Sequence, residues 1–265
     1  MQLNNKVIWI TGASSGIGEA LAKKIASEGA HLILSARRKD ELERVRSSLA
    51  VKEDNCLVLQ LDLEDIEQFP AKVNEVIRHF GHIDILINNA GVSQRSLAAD
   101  TPIDVDKRLI AINYIGTVAL TKCVLPHMLQ RQSGLIVTVT SAVGKIPSPW
   151  RSSYAAAKHA LHGFFDSLRA ECYDRGLRVL LVCPGFVATN ISVNALTETG
   201  KPLGEMDDAT RKGLSPDECA AQIIRAIKKG KEEVIVSGPK EKFAIWLKRF
   251  FPGVFSVLIR KMKVR

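Results

Sequence analysis

Lys6–Gly18 reads KVIWITGASSGIG. Lys6–Ile10 is a short run of β-branched and aromatic residues, which reads as a buried strand. Ile17–Glu28 has apolar residues at helical spacing. Between them lies the turn Thr11–Gly18, with Gly12, Gly16 and Gly18 spaced GxxxGxG and with Ser14, Ser15 and Ile17 among them. A helix N-terminus exposes unpaired N–H groups and positive dipole, so a strand that feeds a glycine-rich turn into a helix is built to hold phosphate. Glycine lets the backbone approach a pyrophosphate closely. The spacing differs from the GxGxxG of the dinucleotide fingerprint, so the match is one of mechanism. The plain alternative is a Gly/Ser loop that only caps a helix, and the strand–turn–helix context weighs against it.

The same alternation continues outward. Strands are expected at His31–Ala36, Leu57–Leu61, Ile83–Asn88, Gly134–Thr140, Arg178–Cys183 and Glu233–Ser237. Helices are expected at Lys39–Leu49, Ile66–Phe80, Val105–Gln132, Ser152–Arg175 and Pro216–Lys229. Strands that read as continuous Val/Ile/Leu runs are buried on both faces, as in a parallel sheet. The fold class is therefore α/β: a Rossmann-type, doubly wound, seven-stranded parallel sheet flanked by helices in a single domain. The irregular stretch Ala188–Leu214, polar and rich in Gly, Asn and Thr, has the character of a loop at the carboxyl ends of strands, where ligands bind.

The chain has 265 residues, 46 % hydrophobic and 25 % charged, which excludes a disordered chain and suits one large domain. Its formal charge is +9. Pro239–Arg265 holds Lys240, Lys242, Lys248, Arg249, Arg260, Lys261, Lys263 and Arg265 against Glu241 alone. The body is nearly balanced, which weighs against nucleic acid as a partner. Cys56, Cys123, Cys172, Cys183 and Cys219 are odd in number and form no CxxC pair, so reduced thiols are expected and a disulfide framework or zinc cluster is not. Met1–Lys6 is short and polar, so no signal peptide or N-terminal anchor is expected. No run of about 18 apolar residues occurs, so no transmembrane helix is expected either. His159 and His162 lack the glutamate of HExxH, and no metal site is read from them. Cys183 reads as buried packing.

Several residues carry chemistry. Arg37 and Arg38 follow the second strand, where an acid would bind a ribose 2′-hydroxyl; two guanidiniums suit a 2′-phosphate instead, so NADP(H) is favoured over NAD. Tyr154 and Lys158 stand one helical turn apart on one face. An ammonium beside a phenol favours phenolate, and a tyrosine so tuned moves protons at neutral pH. Ser141 ends the fifth strand, where its hydroxyl can bond a carbonyl oxygen or simply cap the strand end. Asn88, Asn89, Ala90 and Gly91 end the fourth strand, where asparagine side chains can hold backbone together. Asn113 lies within a helix that asparagine disfavours, so it either faces solvent or holds a water.

TGASSGIG, NNAG at Asn88–Gly91, Asn113, Ser141, YAAAK at Tyr154–Lys158 and Pro184–Gly185 together resemble the short-chain dehydrogenase/reductase family over about residues 5–238. The resemblance implies a tetrad of Asn113, Ser141, Tyr154 and Lys158. Tyr154 would be the general acid/base and Ser141 would orient the substrate oxygen. Lys158 would bind the nicotinamide ribose and lower the tyrosine pKa, and Asn113 would hold a relay water. Asp62 and Leu63 match the adenine-contacting pair. Pro184, Gly185, Val187 and Thr189 match the segment beside the nicotinamide. VDKRL at Val105–Leu109, SSYAAAKHA at Ser152–Ala160, FFDSLRAE at Phe164–Glu171 and TNISVNA at Thr189–Ala195 resemble the branch of family members 7 and 7B.

The implied activity is hydride transfer between NADP(H) and a carbonyl or secondary alcohol, with reduction of a lipophilic ketone or aldehyde favoured. The alternative from another class is a non-catalytic NADP(H)-binding sensor or scaffold. Residues 1–238 would form the cofactor-binding domain, with 188–214 as its substrate loop, and residues 239–265 a basic amphipathic extension. In Phe243–Val264, Phe243, Trp246, Leu247 and Phe250 are helically spaced, Pro252–Gly253 interrupts the pattern, and basic residues flank both apolar runs. That composition suits an anionic membrane surface, and equally suits packing on the body or a partner subunit. Ala156, Ala160, Phe164, Phe165 and Leu168 exceed one core-facing stripe, so a homodimer or homotetramer is expected. The expected location is cytoplasmic, with peripheral membrane contact through the tail.

Overall fold

The computed structural model describes residues 1–261; Lys263, Val264 and Arg265, the end of the basic extension, lie outside the described residues. The chain runs β1 (Val7–Thr11), α1 (Gly16–Ala26), β2 (His31–Ala36), α2 (Lys39–Ser47), β3 (Cys56–Gln60), α3 (Phe69–Phe80) and β4 (Ile85–Asn88). It continues through α4 (Ile103–Ile110), a π-helical turn (Ala111–Gly116), α5 (Thr117–Gln130), β5 (Gly134–Val139), α6 (Ser152–Cys172) and β6 (Leu177–Pro184). The last elements are α7 (Asp208–Arg211), α8 (Pro216–Lys228), β7 (Glu233–Val236), α9 (Pro239–Phe250) and α10 (Pro252–Ile259).

All seven strands are parallel, in the order β3-β2-β1-β4-β5-β6-β7. Connections leave β1 and β4 in opposite directions, so a crevice opens between their carboxyl ends. The strands are apolar throughout because both faces are covered. Ile8 and Ile10 face a core shared with α1 and α8, while Val7 and Trp9 face one shared with α3, α5 and α6. The Trp9 indole donates to Ser35 Oγ at 2.8 Å, so even the polar atom of the largest buried side chain is satisfied.

Four local expectations change. The helix expected over Val105–Gln132 is interrupted by the π-helical turn. There Asn113 Nδ2 donates to the Leu109 carbonyl at 3.0 Å, competing for the acceptor four residues back that a regular ladder would use. Ile103–Gln130, 28 residues with a mean hydropathy of 1.5 in its most apolar window, is long and apolar enough to cross a membrane, contrary to the reading of the sequence. Its Leu109, Leu120, Val124 and Met128 are nonetheless buried in the protein's own core. The stretch 188–214 contains α7, whose N-cap Asp207 accepts from the Thr210 N–H at 2.8 Å. Phe165 and Leu168 belong to the core of the chain, leaving Ala156 exposed and Ala160 and Phe164 half-buried on the outer face of α6.

Candidate active site

The phosphate turn and the fourth strand are stitched together. Thr11 Oγ1 accepts from the Asn89 N–H at 3.0 Å and the Ala90 N–H at 3.1 Å. Asn89 Nδ2 donates back to the carbonyls of Thr11 at 3.0 Å and Gly12 at 3.3 Å. Asn88 Nδ2 donates to Thr121 Oγ1 at 2.9 Å, tying the strand end to α5. Gly12 holds φ +67°, and a Cβ there would lie 2.9 Å from Ala90 Cα. Only glycine meets both demands.

The crevice holds a cavity of about 600 Å³. It is walled by Gly12, Ser14, Ser15, Gly16, Ile17, Arg37, Arg38, Asp62, Leu63, Asn89, Ala90, Gly91, Asn113, Ser141, Tyr154, Lys158, Pro184, Gly185, Val187 and Thr189. Of the residues expected to hold cofactor or act in catalysis, Gly18 alone does not line it. A Cβ at Gly18 would fall 2.1 Å from the Gly12 carbonyl oxygen, so this glycine permits the turn to close on the helix and does not face a ligand. The backbone of a helix N-terminus at Gly16–Gly18, a left-handed Gly12 and the exposed pair Arg37 and Arg38 form a phosphate-binding rim, and these residues fit a nicotinamide dinucleotide.

At the other end, α6 carries Tyr154 and Lys158. Lys158 is buried, and its Nζ donates to the Val139 carbonyl at 3.0 Å and stands 5.8 Å from the centre of the Tyr154 ring. Burial pulls its pKa down to about 8. For Tyr154, burial pushes the phenol up, and the Ser141 hydroxyl and then the charges of Arg151 and Arg95 work against that without reversing it. The charges that work against burial at the Tyr154 phenol are those of Arg151 and Arg95. Ser141 Oγ accepts from the Val143 N–H at 3.1 Å, so it caps the short helical turn Ala142–Gly144 while it also faces the cavity. Asn113 is fully buried and does not face solvent; its Oδ1 accepts from the Val92 N–H at 3.0 Å, and its Nδ2 donates to the Val92 carbonyl at 2.9 Å.

Three functional neighbours escaped the reading of the sequence. Gln94, fully buried, accepts with Oε1 from the N–H groups of Ser153 at 2.9 Å and Tyr154 at 3.2 Å. It thus caps the helix that carries the tyrosine from about sixty residues away. Arg95 and Arg151 are buried beside it, with Asp207 of the 188–214 stretch between them. No local pattern announces them, because an isolated arginine in a sequence reads as solvated surface.

His162, Cys183 and Glu233 bring ligand-type atoms within 4.8 Å of one another. Nε2 of His162 faces Thr140 and Cys183, whereas Nδ1 faces Glu233, whose carboxylate is taken by Lys145 Nζ at 2.6 Å. Glu233 is thus engaged as the ion-pair partner of Lys145. Burial pushes the Cys183 thiol up to about 11, in keeping with a packing role.

The chain matches the short chain dehydrogenase family model over residues 6–199 and belongs to that family. It is 46 % identical over 264 residues to a dehydrogenase/reductase SDR family protein 7-like of Anopheles gambiae, covering 98 % of this chain and 83 % of the relative. It is 44 % identical to family member 7 of Homo sapiens, with 95 % and 76 % covered, and 41 % identical to member 7B of Bos taurus, with 97 % and 81 % covered. These relatives place it in the member 7/7B branch. A short-chain dehydrogenase/reductase from Burkholderia phymatum in complex with NAD shares the fold, with a TM-score of 0.85 and 24 % identity over 96 % of both chains. An alcohol dehydrogenase from Thermococcus sibiricus complexed with 5-hydroxy-NADP aligns with a TM-score of 0.74 and 27 % identity, covering 88 % of this chain and 97 % of that one.

Proposed function

We propose that this oxidoreductase uses NADP(H) and reduces the carbonyl group of a lipophilic ketone or aldehyde. The observation that carries the reading is the meeting, in one cavity, of a phosphate rim ending in Arg37 and Arg38 with a wall formed by Ser141, Tyr154 and Lys158. Two guanidiniums and no carboxylate directly after β2 support a 2′-phosphate. The bound cofactor supplies the hydride. Ser141 and Tyr154 hold the carbonyl oxygen, and Tyr154 gives it a proton as negative charge develops there. Lys158, fixed by the Val139 carbonyl, presents its remaining N–H groups to the cavity. Val92, Ile112, Val187, Ile191 and Leu196 supply an apolar wall for the rest of the substrate.

The test is cofactor consumption by the purified protein against a panel of carbonyl compounds. NADPH should be oxidised in preference to NADH. Tyr154→Phe should lower kcat by about 10²–10⁴-fold, the range for loss of a general acid, while NADPH binding is retained. Turnover that survives in Tyr154→Phe would exclude this mechanism. Binding of NADPH with no turnover of any carbonyl would favour the sensor reading.

The surfaces support two partners. The outer face of α6, with Ala156, Ala160 and Phe164, supports a second copy of the chain. On the hairpin of α9 and α10, Phe243, Trp246, Phe250, Phe251, Val254, Val257 and Leu258 are exposed. With Lys240, Lys242, Lys248, Arg249, Arg260 and Lys261 on the same hairpin, the surface complements an anionic membrane.

A further inference from the structure

The first turn of α6 carries Tyr154, and its own N-cap residue cannot complete it. A helix leaves its first N–H groups without intrahelical acceptors. A side-chain oxygen at the N-cap ordinarily accepts from the second or third of them. In α6 the N-cap is Arg151, whose side chain makes no capping bond and, as a guanidinium, holds no acceptor. The second and third N–H groups belong to Ser153 and Tyr154. Both go to Gln94 Oε1, at 2.9 and 3.2 Å. Gln94 is fully buried, and only one orientation of its amide satisfies both ends. Oε1 meets two N–H donors, while Nε2 faces the hydroxyl oxygens of Ser96 at 3.2 Å, Thr101 at 3.3 Å and Ser152 at 3.3 Å. A flipped amide would aim its own N–H groups at those of Ser153 and Tyr154.

The backbone around Gln94 is tied to the other side of the cavity. Gln94 pairs with Leu196 in a parallel bridge. The Arg95 N–H donates to the Leu196 carbonyl at 2.8 Å, and the Leu196 N–H donates to the Ser93 carbonyl at 2.9 Å. Leu196 lines the cavity and Gln94 does not, so any effect of Gln94 on the reaction passes through its neighbours. By its backbone it holds part of the apolar wall, and by its side chain it holds the backbone of the tyrosine. Resting on the general-acid reading of Tyr154 above, we infer that Gln94 is a positioning residue: its amide sets the reach of the Tyr154 phenol relative to the wall that holds the substrate. Proton transfer needs close alignment, and a misplacement of about 1 Å costs on the order of 10²-fold in rate. Loss of the side chain frees the first turn of α6 but leaves the backbone bridge to Leu196, so the effect falls on kcat and spares KM.

Two measurements test this. The first is steady-state reduction of 4-nitrobenzaldehyde, a reactive apolar aldehyde, by NADPH in the wild type, Gln94→Met and Gln94→Glu. Methionine keeps the length of the side chain and removes both polar ends. Glutamate keeps the acceptor, and the hydroxyls of Ser96 and Ser152 can rotate to donate to it. Gln94→Met should lower kcat by roughly tenfold to a hundredfold, with KM and the Kd of NADPH nearly unchanged, and Gln94→Glu should recover most of the loss. A Gln94→Met protein with wild-type kcat, a parallel fall in kcat and NADPH affinity, or a Gln94→Glu protein no better than Gln94→Met would overturn the inference. The second measurement, amide hydrogen exchange, needs no substrate. In the wild type the Ser153 and Tyr154 amides should be as protected as the interior of α6, and in Gln94→Met these two alone should exchange about tenfold faster or more. Acceleration along the whole of α6, or none, would overturn the inference, as would unprotected amides in the wild type should Gln94→Met fail to fold. Full turnover in Tyr154→Phe would mark the failure of the catalytic reading. An inactive Tyr154→Phe beside a fully active Gln94→Met would mark the failure of this inference alone.

Discussion

Asp84 shows what one residue can hold. It is 5 % exposed at the start of β4, where its Oδ2 accepts from the Val7 N–H at 3.0 Å and contacts His82 Nε2 at 3.1 Å, and its Oδ1 meets Lys6 at 3.4 Å and Arg131 at 3.3 Å. It therefore joins β1, β4 and the end of α5. Burial works to raise its pKa, but the Val7 N–H, His82, Lys6 and Arg131 outweigh that and hold it below the ordinary value. A carboxyl depressed in the folded state contributes stability above its unfolded pKa of about 3.9, and that contribution is lost as pH falls through the folded value. Asp84→Asn should thus lose about 2–3 kcal/mol at pH 7, by removing a buried charge from its partners. The gap between variant and wild type should narrow below about pH 4. Urea unfolding at pH 7, 5 and 3.5 checks both statements, and a constant gap would refute the second. In the sequence, Asp84 is simply one residue of the expected strand Ile83–Asn88, because three of its four partners come from two distant segments.

The elements were read well where a local cause shapes them. The strand–turn–helix at Lys6–Gly18 is legible because glycine at a left-handed or sterically closed position has few substitutes. Gly18→Ala should destabilise the protein by roughly 2 kcal/mol or more, since the new methyl meets backbone that cannot yield. It should also weaken NADPH binding at least tenfold by deforming the turn. Gly163→Ala is the control: nothing lies within 4 Å of its Cβ, and α6 should gain about 0.5–1 kcal/mol in helix propensity. Thermal unfolding and fluorescence titration with NADPH separate the two, and a Gly18→Ala protein that behaves like Gly163→Ala would contradict the packing argument. The π-helical turn was not legible, although Asn113 was noticed as out of place. Its cause is a side-chain bond to Leu109 and a pair of bonds to Val92, and the second belongs to another segment.

At the scale of the molecule, charge and apolar surface are separated. The body is nearly neutral, and the basic residues gather on the α9–α10 hairpin, whose aromatics Phe243, Trp246, Phe250 and Phe251 cluster at 5.5–5.8 Å between ring centres. Phe255 is buried on the inner side of the hairpin while the aromatics are exposed, so substitution of the aromatics is a cleaner probe than deletion. Trp246→Ser with Phe250→Ser should reduce partitioning onto phosphatidylserine-containing vesicles by tenfold or more, with little effect on thermal stability. Wild-type binding should weaken as salt is raised. Equal sedimentation of wild type and variant with these vesicles would remove the membrane from the proposal and leave a partner protein for the patch.

By itself the sequence determined the α/β class, the seven strands in order, the phosphate turn and the polar and glycine-rich part of the cavity wall. These follow from local periodicity, from glycine's conformational freedom and from residue types with fixed chemistry at fixed spacing. Only the tertiary structure decided that Gly18 serves the turn and not a ligand, that Gln94 caps the helix of Tyr154, and that Arg95 and Arg151 share one aspartate beside the phenol. The physical reason is that burial and pairing depend on which distant segments meet. A charge that reads as surface in one dimension becomes an electrostatic determinant of the site once the sheet, α6 and the 188–214 stretch close around it.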